Sequence, residues 1–171
     1  VSVVYIPDTI DVGKKQYEFL QYAIKNNIPV YTLKAGDKIK MNDVDIKVLH
    51  PEENKVLDGK NDSSLVFRAE NSDMSILFPG DLEKDNILKD CDTDLLKVSH
   101  HGSKNGSTEE FLHKCTPKIA VISLAENNMY GFPHENTIEK LSKYTDKIYR
   151  TDLNGTIEVY CDDYEYKVKT L

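Results

Sequence analysis

The sequence predicts a layered α/β fold of the α+β kind, with helices packed on sheet. Three observations predict it. Short strands with period-2 alternation dominate the first half of the chain, and apolar strands alternate with short helices in the second half. Proline, glycine and asparagine turn signals separate the segments, while no repeat, low-complexity stretch or linker interrupts them. The 171 residues therefore read as one domain, 1–171.

Each element has its own signal. Val1 to Ile6 reads as a buried strand and Pro7-Asp8-Thr9 turns the chain. Lys14 to Lys25 reads as a helix, since Tyr17, Leu20 and Ile24 recur at i, i+3 and i+7; Asn26-Asn27 and Pro29 stop it. Val30 to Leu33 and Lys38 to Met41 are short strands around a turn at Ala35-Gly36-Asp37. Asn42-Asp43 leads into Val44 to Leu49, where Val44, Ile46 and Val48 share one face. A polar loop, Pro51 to Asp62, precedes a hairpin of Ser64 to Ala69 and Met74 to Phe78, joined by Glu70-Asn71-Ser72-Asp73.

Pro79-Gly80-Asp81 closes that strand, and a short helix over Leu82 to Lys89 should follow. Asp94 to Ser99 is a strand running into His100-His101-Gly102-Ser103. Ser107, with Glu110 three residues on, reads as a capping box for a helix over Thr108 to Lys114. Ile119 to Leu124 is an apolar strand, and Asn136 to Tyr144 a helix with Ile138 and Leu141 inward. Lys147 to Tyr149, Thr156 to Tyr160 and Tyr164 to Lys169 are the last strands, with Asn154-Gly155 as a hairpin turn.

Composition narrows the function. There are 29 Asp and Glu against 22 Lys and Arg, a formal charge of −7. That balance disfavours a basic sheath for nucleic acid. No apolar run reaches the roughly 20 residues of a membrane helix. The three cysteines, Cys91, Cys115 and Cys161, form no CxxC pair and read as free thiols. HxHxDH, HExxH, P-loop and Gly-x-Ser-x-Gly patterns are all missing.

Four residues stand out because each follows an apolar strand or lies in the loop after one, on a rigid yet open edge: Asp81, His100, His101 and His134. Behind the turn at Gly80, Asp81 could bridge two cations, each oxygen taking one, or simply cap the next helix. On a continuing strand His100 and His101 would point to opposite faces, so one should face the site and the other pack, unless the backbone turns at Gly102. Gly102 and Ser103 offer amides and a hydroxyl to an anion, with Lys104 beside them. His134 is either a metal ligand or a helix-entry residue after Pro133. His50 and His113 carry no assigned role.

Four blocks, read in order, carry a pattern. They are Phe78-Pro79-Gly80-Asp81-Leu82-Glu83, Asp94-Leu95-Leu96-Lys97-Val98-Ser99-His100-His101-Gly102-Ser103, Asn127 to His134, and Tyr149-Arg150-Thr151-Asp152 with Gly155-Thr156-Ile157. Together they resemble the metallo-β-lactamase-fold domain of the ComEC/Rec2 family of DNA-uptake proteins, from about Ser63 to Val159. The resemblance implies an αββα sandwich with a metal site at one edge between the sheets. It implies hydrolysis of phosphodiester bonds with two divalent cations, Zn or Mn, activating water. Asp81 matches the family's bridging aspartate and His134 the last ligand. His100 and His101 fall to catalysis, and Gly102, Ser103 and Lys104 to substrate phosphate, with single-stranded DNA as a candidate substrate. In such proteins the domain is attached to a membrane channel and faces outward.

There are two departures. The family's early HxHxDH-type motif is absent, and its place would lie before Val1, so the chain is expected to be the C-terminal portion of a longer domain, completed by the missing part. Phe132 stands where the family often has histidine. Asn61 and Asp62 occupy the place of a histidine-bearing turn found elsewhere in the superfamily, and could supply oxygen ligands. A different reading, favoured by Phe132, is a domain whose site has decayed and which is kept for binding or assembly.

Overall fold

The computed structural model describes residues 1–9, 13–53, 61–83, 88–162 and 165–171. Along the chain lie β1 (Val4–Pro7), α1 (Lys14–Lys25), β2 (Val30–Leu33), β3 (Lys38–Met41), β4 (Val44–His50), β5 (Val66–Glu70), β6 (Ser75–Phe78) and β7 (Leu95–Lys97). There follow α2 (Glu109–Cys115), β8 (Ile119–Ile122), α3 (Glu135–Ser142), β9 (Ile148–Arg150), α4 (Thr151–Asn154), β10 (Ile157–Asp162) and β11 (Glu165–Thr170). The protein is a mixed α/β structure built on one central mixed sheet, ordered β3-β4-β5-β6-β7-β8-β9. Pairings are antiparallel from β3 to β6 and parallel from β6 to β9. The switch follows from the connections. Short turns join β3 to β4 and β5 to β6, whereas α2 and α3 cross over between β7, β8 and β9.

Alternation along the strands gives the sheet two different faces. On one face Val66, Leu77, Leu96, Ala120 and Ile122 pack against Phe111, Leu112 and Cys115 of α2 and Leu141 of α3, forming the core. Each such side chain, removed from water, contributes about 1.5–3 kcal/mol before entropy is counted. The opposite face is covered by two separate ribbons. The parallel pair β1-β2 brings Tyr5 and Leu33 over Ile39, Met41, Ile46, Val48 and Phe67. The antiparallel pair β10-β11 brings Ile157 and Val159 over Ile76, Phe78, Leu95, Lys97 and Val121. α2 and α3 therefore lie on one side of the central sheet and the β-ribbons on the other.

Several local expectations shift. In α1 Tyr17 and Ile24 are exposed, and the inward line is Gln16, Leu20 and Ala23, with Ala23 fully buried. The apolar spacing marks a helix but not which stripe finds a partner. The N-cap of α2 is Thr108, whose hydroxyl accepts from Phe111 N–H at 3.2 Å. Ser107 cannot take that role, because its φ of +51° is left-handed and an N-cap needs extended backbone. Glu110 pairs instead with Lys114 at 2.9 Å. Asn154-Gly155 does not turn a hairpin. It ends the helical turn α4, with Gly155 at φ +66°, and β10 pairs with β11. Of the helix expected over Leu82 to Lys89, residues 84–87 lie outside the described ones, and Leu82, Glu83, Leu88 and Lys89 are not helical. Cys91 and Cys115 are buried in the core and Cys161 is half-buried; all three are free thiols.

Asp94 fastens the ribbon side to the sheet. It accepts from the Ser75 amide at 2.8 Å and hydroxyl at 2.7 Å, and pairs with Lys118 at 2.8 Å. The Lys118 ammonium in turn sits 4.7 Å from the ring centroid of Tyr166 on β11. Burial opposes ionisation of Asp94 most, but the bonds from Lys118, Ser75 and Tyr166 outweigh it and hold the carboxyl at about 2 instead of 3.8. A folded value below the unfolded one stabilises the fold above pH 4, and that contribution fades as pH falls toward 2. At a partly open site, screening reduces it to about 1 kcal/mol. Asp94→Asn should therefore lower urea stability at pH 7 by that amount, with the gap to wild type closing as pH approaches 2. A gap independent of pH would contradict the assignment.

Candidate active site

β6, β7 and β8 run parallel side by side, so their C-terminal ends lie along one edge of the sheet. The loops leaving them converge there. Gly80, at φ +62°, turns the chain after β6, and a Cβ there would sit 3.0 Å from Ser64 Cβ. The Ser64 hydroxyl accepts from Asp81 N–H at 3.1 Å, which fixes the root of the carboxylate. His100 N–H donates to Gly80 O at 3.0 Å, and the Ser99 hydroxyl to Leu82 O at 2.5 Å, stitching the loop after β7 to the loop after β6.

The backbone does turn at the histidine pair. His100 (φ 45°, ψ 44°) and His101 (φ 54°, ψ 24°) are both left-handed, which costs of order 1–3 kcal/mol each and persists only where surroundings impose it. The two rings lie 6.5 Å apart and nearly perpendicular. His101 Nδ1–H donates to Ser123 O at 2.6 Å. That bond sets the neutral tautomer and leaves the lone pair on Nε2, which lies 3.7 Å from Asp81 Oδ1. Both side chains are 44% exposed, so the pair is open to solution. His100 is more enclosed. Its Nδ1 lies 3.1 Å from Glu83 Oε1, close enough for an ion pair but off the line of a hydrogen bond, and its ring meets Phe132 edge-on at 5.5 Å.

The neighbouring loops are arranged differently from expectation. Gly102 and Ser103 are buried, and their polar groups are spent inside. Gly102 O accepts from His134 N–H at 3.0 Å, Ser103 O accepts from the Thr137 hydroxyl at 3.1 Å, and Ser103 N–H donates to His100 O at 2.9 Å. These bonds shape the loop. Lys104 is exposed. Its amide donates to His134 Nδ1 at 3.1 Å, so the imidazole's lone pair is engaged and Nε2 carries the proton. In this arrangement His134 Nδ1 is a hydrogen-bond acceptor, whereas the lone pair of His101 stays on Nε2 at the open edge.

Sequence reasoning passed over Glu83 and Ser64 here, and read Lys97 as solvated surface charge. Glu83 stands beside His100 and accepts from the Asn61 side chain at 3.1 Å. Ser64 carries Asp81. Lys97, at the end of β7, feels burial, which lowers its pKa, and the Asp81 charge, which raises it again. Lys97 and Glu83 lay within the recognised blocks; Ser64 had no signal beyond proximity to them. Of the other candidates, Asn61 reaches Glu83, while Asp62 is buried with its carbonyl accepting from His50 Nε2–H at 2.8 Å. Arg150 is held by Asp152 at 2.5 Å and serves the β9-α4 corner.

Asp81 and His101 fit a divalent cation as an oxygen and a nitrogen donor turned toward one another. Among the described residues no three His, Cys, Asp or Glu side chains converge, whereas a catalytic zinc site commonly uses three protein ligands. The pair by itself offers two donors, fewer than such a site uses.

Comparison with known proteins bears on the resemblance. The chain is 36% identical over 173 aligned residues to ComE operon protein 3 of Bacillus subtilis, a match covering 98% of this chain and 22% of that protein. It is 31% identical to recombination protein 2 of Haemophilus influenzae and 30% identical to competence protein ComA of Neisseria gonorrhoeae, over 73% and 72% of this chain. The chain is a homologue of the ComEC/Rec2 proteins. It spans only 16% and 19% of the second and third relatives, so it corresponds to one segment of these much longer chains. No family model matches it. A metallo-β-lactamase superfamily structure from Thermotoga maritima aligns over 88% of this chain and 81% of its own, with a TM-score of 0.45 and 13% identity. Among the described residues no helix of this ComEC/Rec2 homologue is long and apolar enough to cross a membrane.

Proposed function

We propose that this chain supplies part of a metal-dependent site for hydrolysing phosphodiester bonds of DNA during uptake, working within a longer, membrane-attached protein. The observation that carries the reading is the His101-Asp81 pair. Ser123 O fixes the imidazole so that Nε2 keeps its lone pair, and that atom faces a carboxylate 3.7 Å away on an open sheet edge. A single hydrogen bond thus orients a ligand as metal-site histidines are usually oriented.

When bound, a divalent cation at such a site lowers the pKa of a coordinated water and offsets charge on the phosphoryl group. The protein's own part is positional. Ser64 and Gly80 hold Asp81, Ser123 holds His101, and the His100-His101 turn brings the two together. His134 offers an Nε2–H, and Lys104 an exposed ammonium, to phosphate oxygens. Gly102 and Ser103 contribute as the loop's frame. Names of the relatives support the connection with competence, and the net charge of −7 means that substrate must be held by local contacts.

The test is a calorimetric titration of the chain with Mn²⁺ and with Zn²⁺. Asp81→Asn and His101→Gln should each weaken binding by about 10- to 100-fold, while His134→Gln should leave it near wild type. Unchanged affinity in the first two variants would rule out the pair as ligands. The absence of any binding would favour the second reading, a binding or assembly module, for which Phe132 in place of a family histidine is the specific support.

A further inference from the structure

We propose that the loop over residues 127–133 is a base-stacking rim, in which Tyr130, backed by Phe132, takes a nucleobase of a single-stranded nucleic acid whose phosphate lies at the adjoining site. The inference rests on the nucleic-acid part of the reading above.

Four observations carry it. First, the loop exposes large apolar side chains: Met129 is 87% and Tyr130 68% accessible. Second, the loop is clamped. The Asn128 amide donates to Ala125 O at 3.2 Å and Phe132 O at 2.8 Å, and its carbonyl accepts from Phe132 N–H at 3.0 Å. An exposed aromatic on a clamped loop loses little freedom when something stacks on it. Third, Tyr130 and Phe132 are stacked, with centroids 5.5 Å apart and planes 20° from parallel. Phe132 covers one side of Tyr130, leaving an open face for a further ring. Fourth, the row of rings leads into the candidate site, since Phe132 meets His100 at 5.5 Å and His134 at 5.2 Å, both edge-on. Two successive ring contacts therefore connect Tyr130 to the histidines, a span of about one or two nucleotides of single strand.

The chemistry selects a base over other occupants. The loop is flanked in sequence by Glu126 and Glu135, and the whole chain is acidic, so attraction to the phosphate backbone is weak at long range. The base is the uncharged part of a nucleotide, and stacking tolerates any sequence because every base has a π-face. A duplex keeps its bases stacked inside, so the rim fits a single strand.

The chain contains no tryptophan, so Tyr130→Trp installs a single tryptophan at the rim, excited at wavelengths where the tyrosines do not absorb. With a chelator present, so that no turnover intervenes, it is titrated with an oligothymidylate of about ten nucleotides and with an abasic strand of equal length. The expected result is saturable quenching by oligothymidylate and none by the abasic strand. In the otherwise unaltered chain, followed by anisotropy of a labelled strand, Tyr130→Ala should weaken oligothymidylate binding about tenfold and abasic binding little. Circular dichroism checks that each variant is folded. Equal quenching by both strands, unchanged affinity in Tyr130→Ala, or failure of oligothymidylate to bind overturns the proposal, whereas failure of the abasic strand alone to bind supports it. Its failure is separable from that of hydrolysis. Quenching without cleavage on metal addition sinks the hydrolytic reading and leaves the rim; cleavage with an unchanged KM in Tyr130→Ala sinks the rim alone.

Discussion

Gly102→Ala is expected to lower stability by about 3 kcal/mol and to abolish cation binding at Asp81 and His101. Gly102 has φ +85°, and an added Cβ would lie 2.5 Å from Pro133 Cβ, 3.1 Å from Pro133 Cα and 3.5 Å from Ile122 Cγ2. A 2.5 Å approach between carbons cannot persist, and the neighbour is a rigid proline ring, so the backbone must move. The loop that moves carries His101, and the loop it pushes carries His134, whose amide donates to Gly102 O. Fold and site should therefore fail together. Gly131→Ala is the control. Its φ is also positive, +66°, but nothing lies within 4 Å of the new carbon, so only the backbone term of about 1–2 kcal/mol applies. Urea unfolding of both variants, with Mn²⁺ calorimetry, decides the matter. Equal costs would mean that close packing at Gly102 is not what the position requires.

Phe111→Ala carries the largest expected loss of stability, about 3–5 kcal/mol. Phe111 is fully buried and heads the largest fully buried side chains. It stands on α2 against Leu77, Leu96, Ala120 and Ile122, so removing it hollows the interface between helix and central sheet. Against a typical total of about 5–15 kcal/mol, that loss should leave much of the protein unfolded at ordinary temperature. The measurement is the urea midpoint, with the denaturant slope unchanged if unfolding remains two-state. A shift below about 1 kcal/mol would mean that the core relaxes to fill the space, and that α2 is held by other contacts.

How much was legible in the sequence differs by residue. Val44, Ile46 and Val48 announce a strand because side chains alternate strictly along extended backbone, and any partner leaves that alternation intact. Asp81, His100, His101 and His134 could be picked out because each follows an apolar segment, and an apolar segment ends where the sheet meets water. The stripe of α1 that packs could not be read, because Tyr17 and Ala23 both sit on a helix and only the neighbouring structure says which is covered. Ser107 and Thr108 are equally good caps by type, and the left-handed backbone at Ser107 excludes it. The division of labour between His101 and His134 hung on two backbone groups, Ser123 O and Lys104 N–H, distant in sequence and carrying no side-chain signal at all.

The sequence by itself determined the strand segments, the mixed α/β class and the kinship with competence proteins, since these rest on local periodicity and on short contiguous blocks. Tertiary structure alone decided which imidazole keeps a free lone pair, that Gly102 and Ser103 are buried with their carbonyls bonded inside the loop, and that Tyr130 stands stacked and open beside the site. Those properties depend on hydrogen bonds and close approaches between loops that leave different strands. Their geometry is set by the way β6, β7 and β8 lie side by side, which is a long-range property of the sheet.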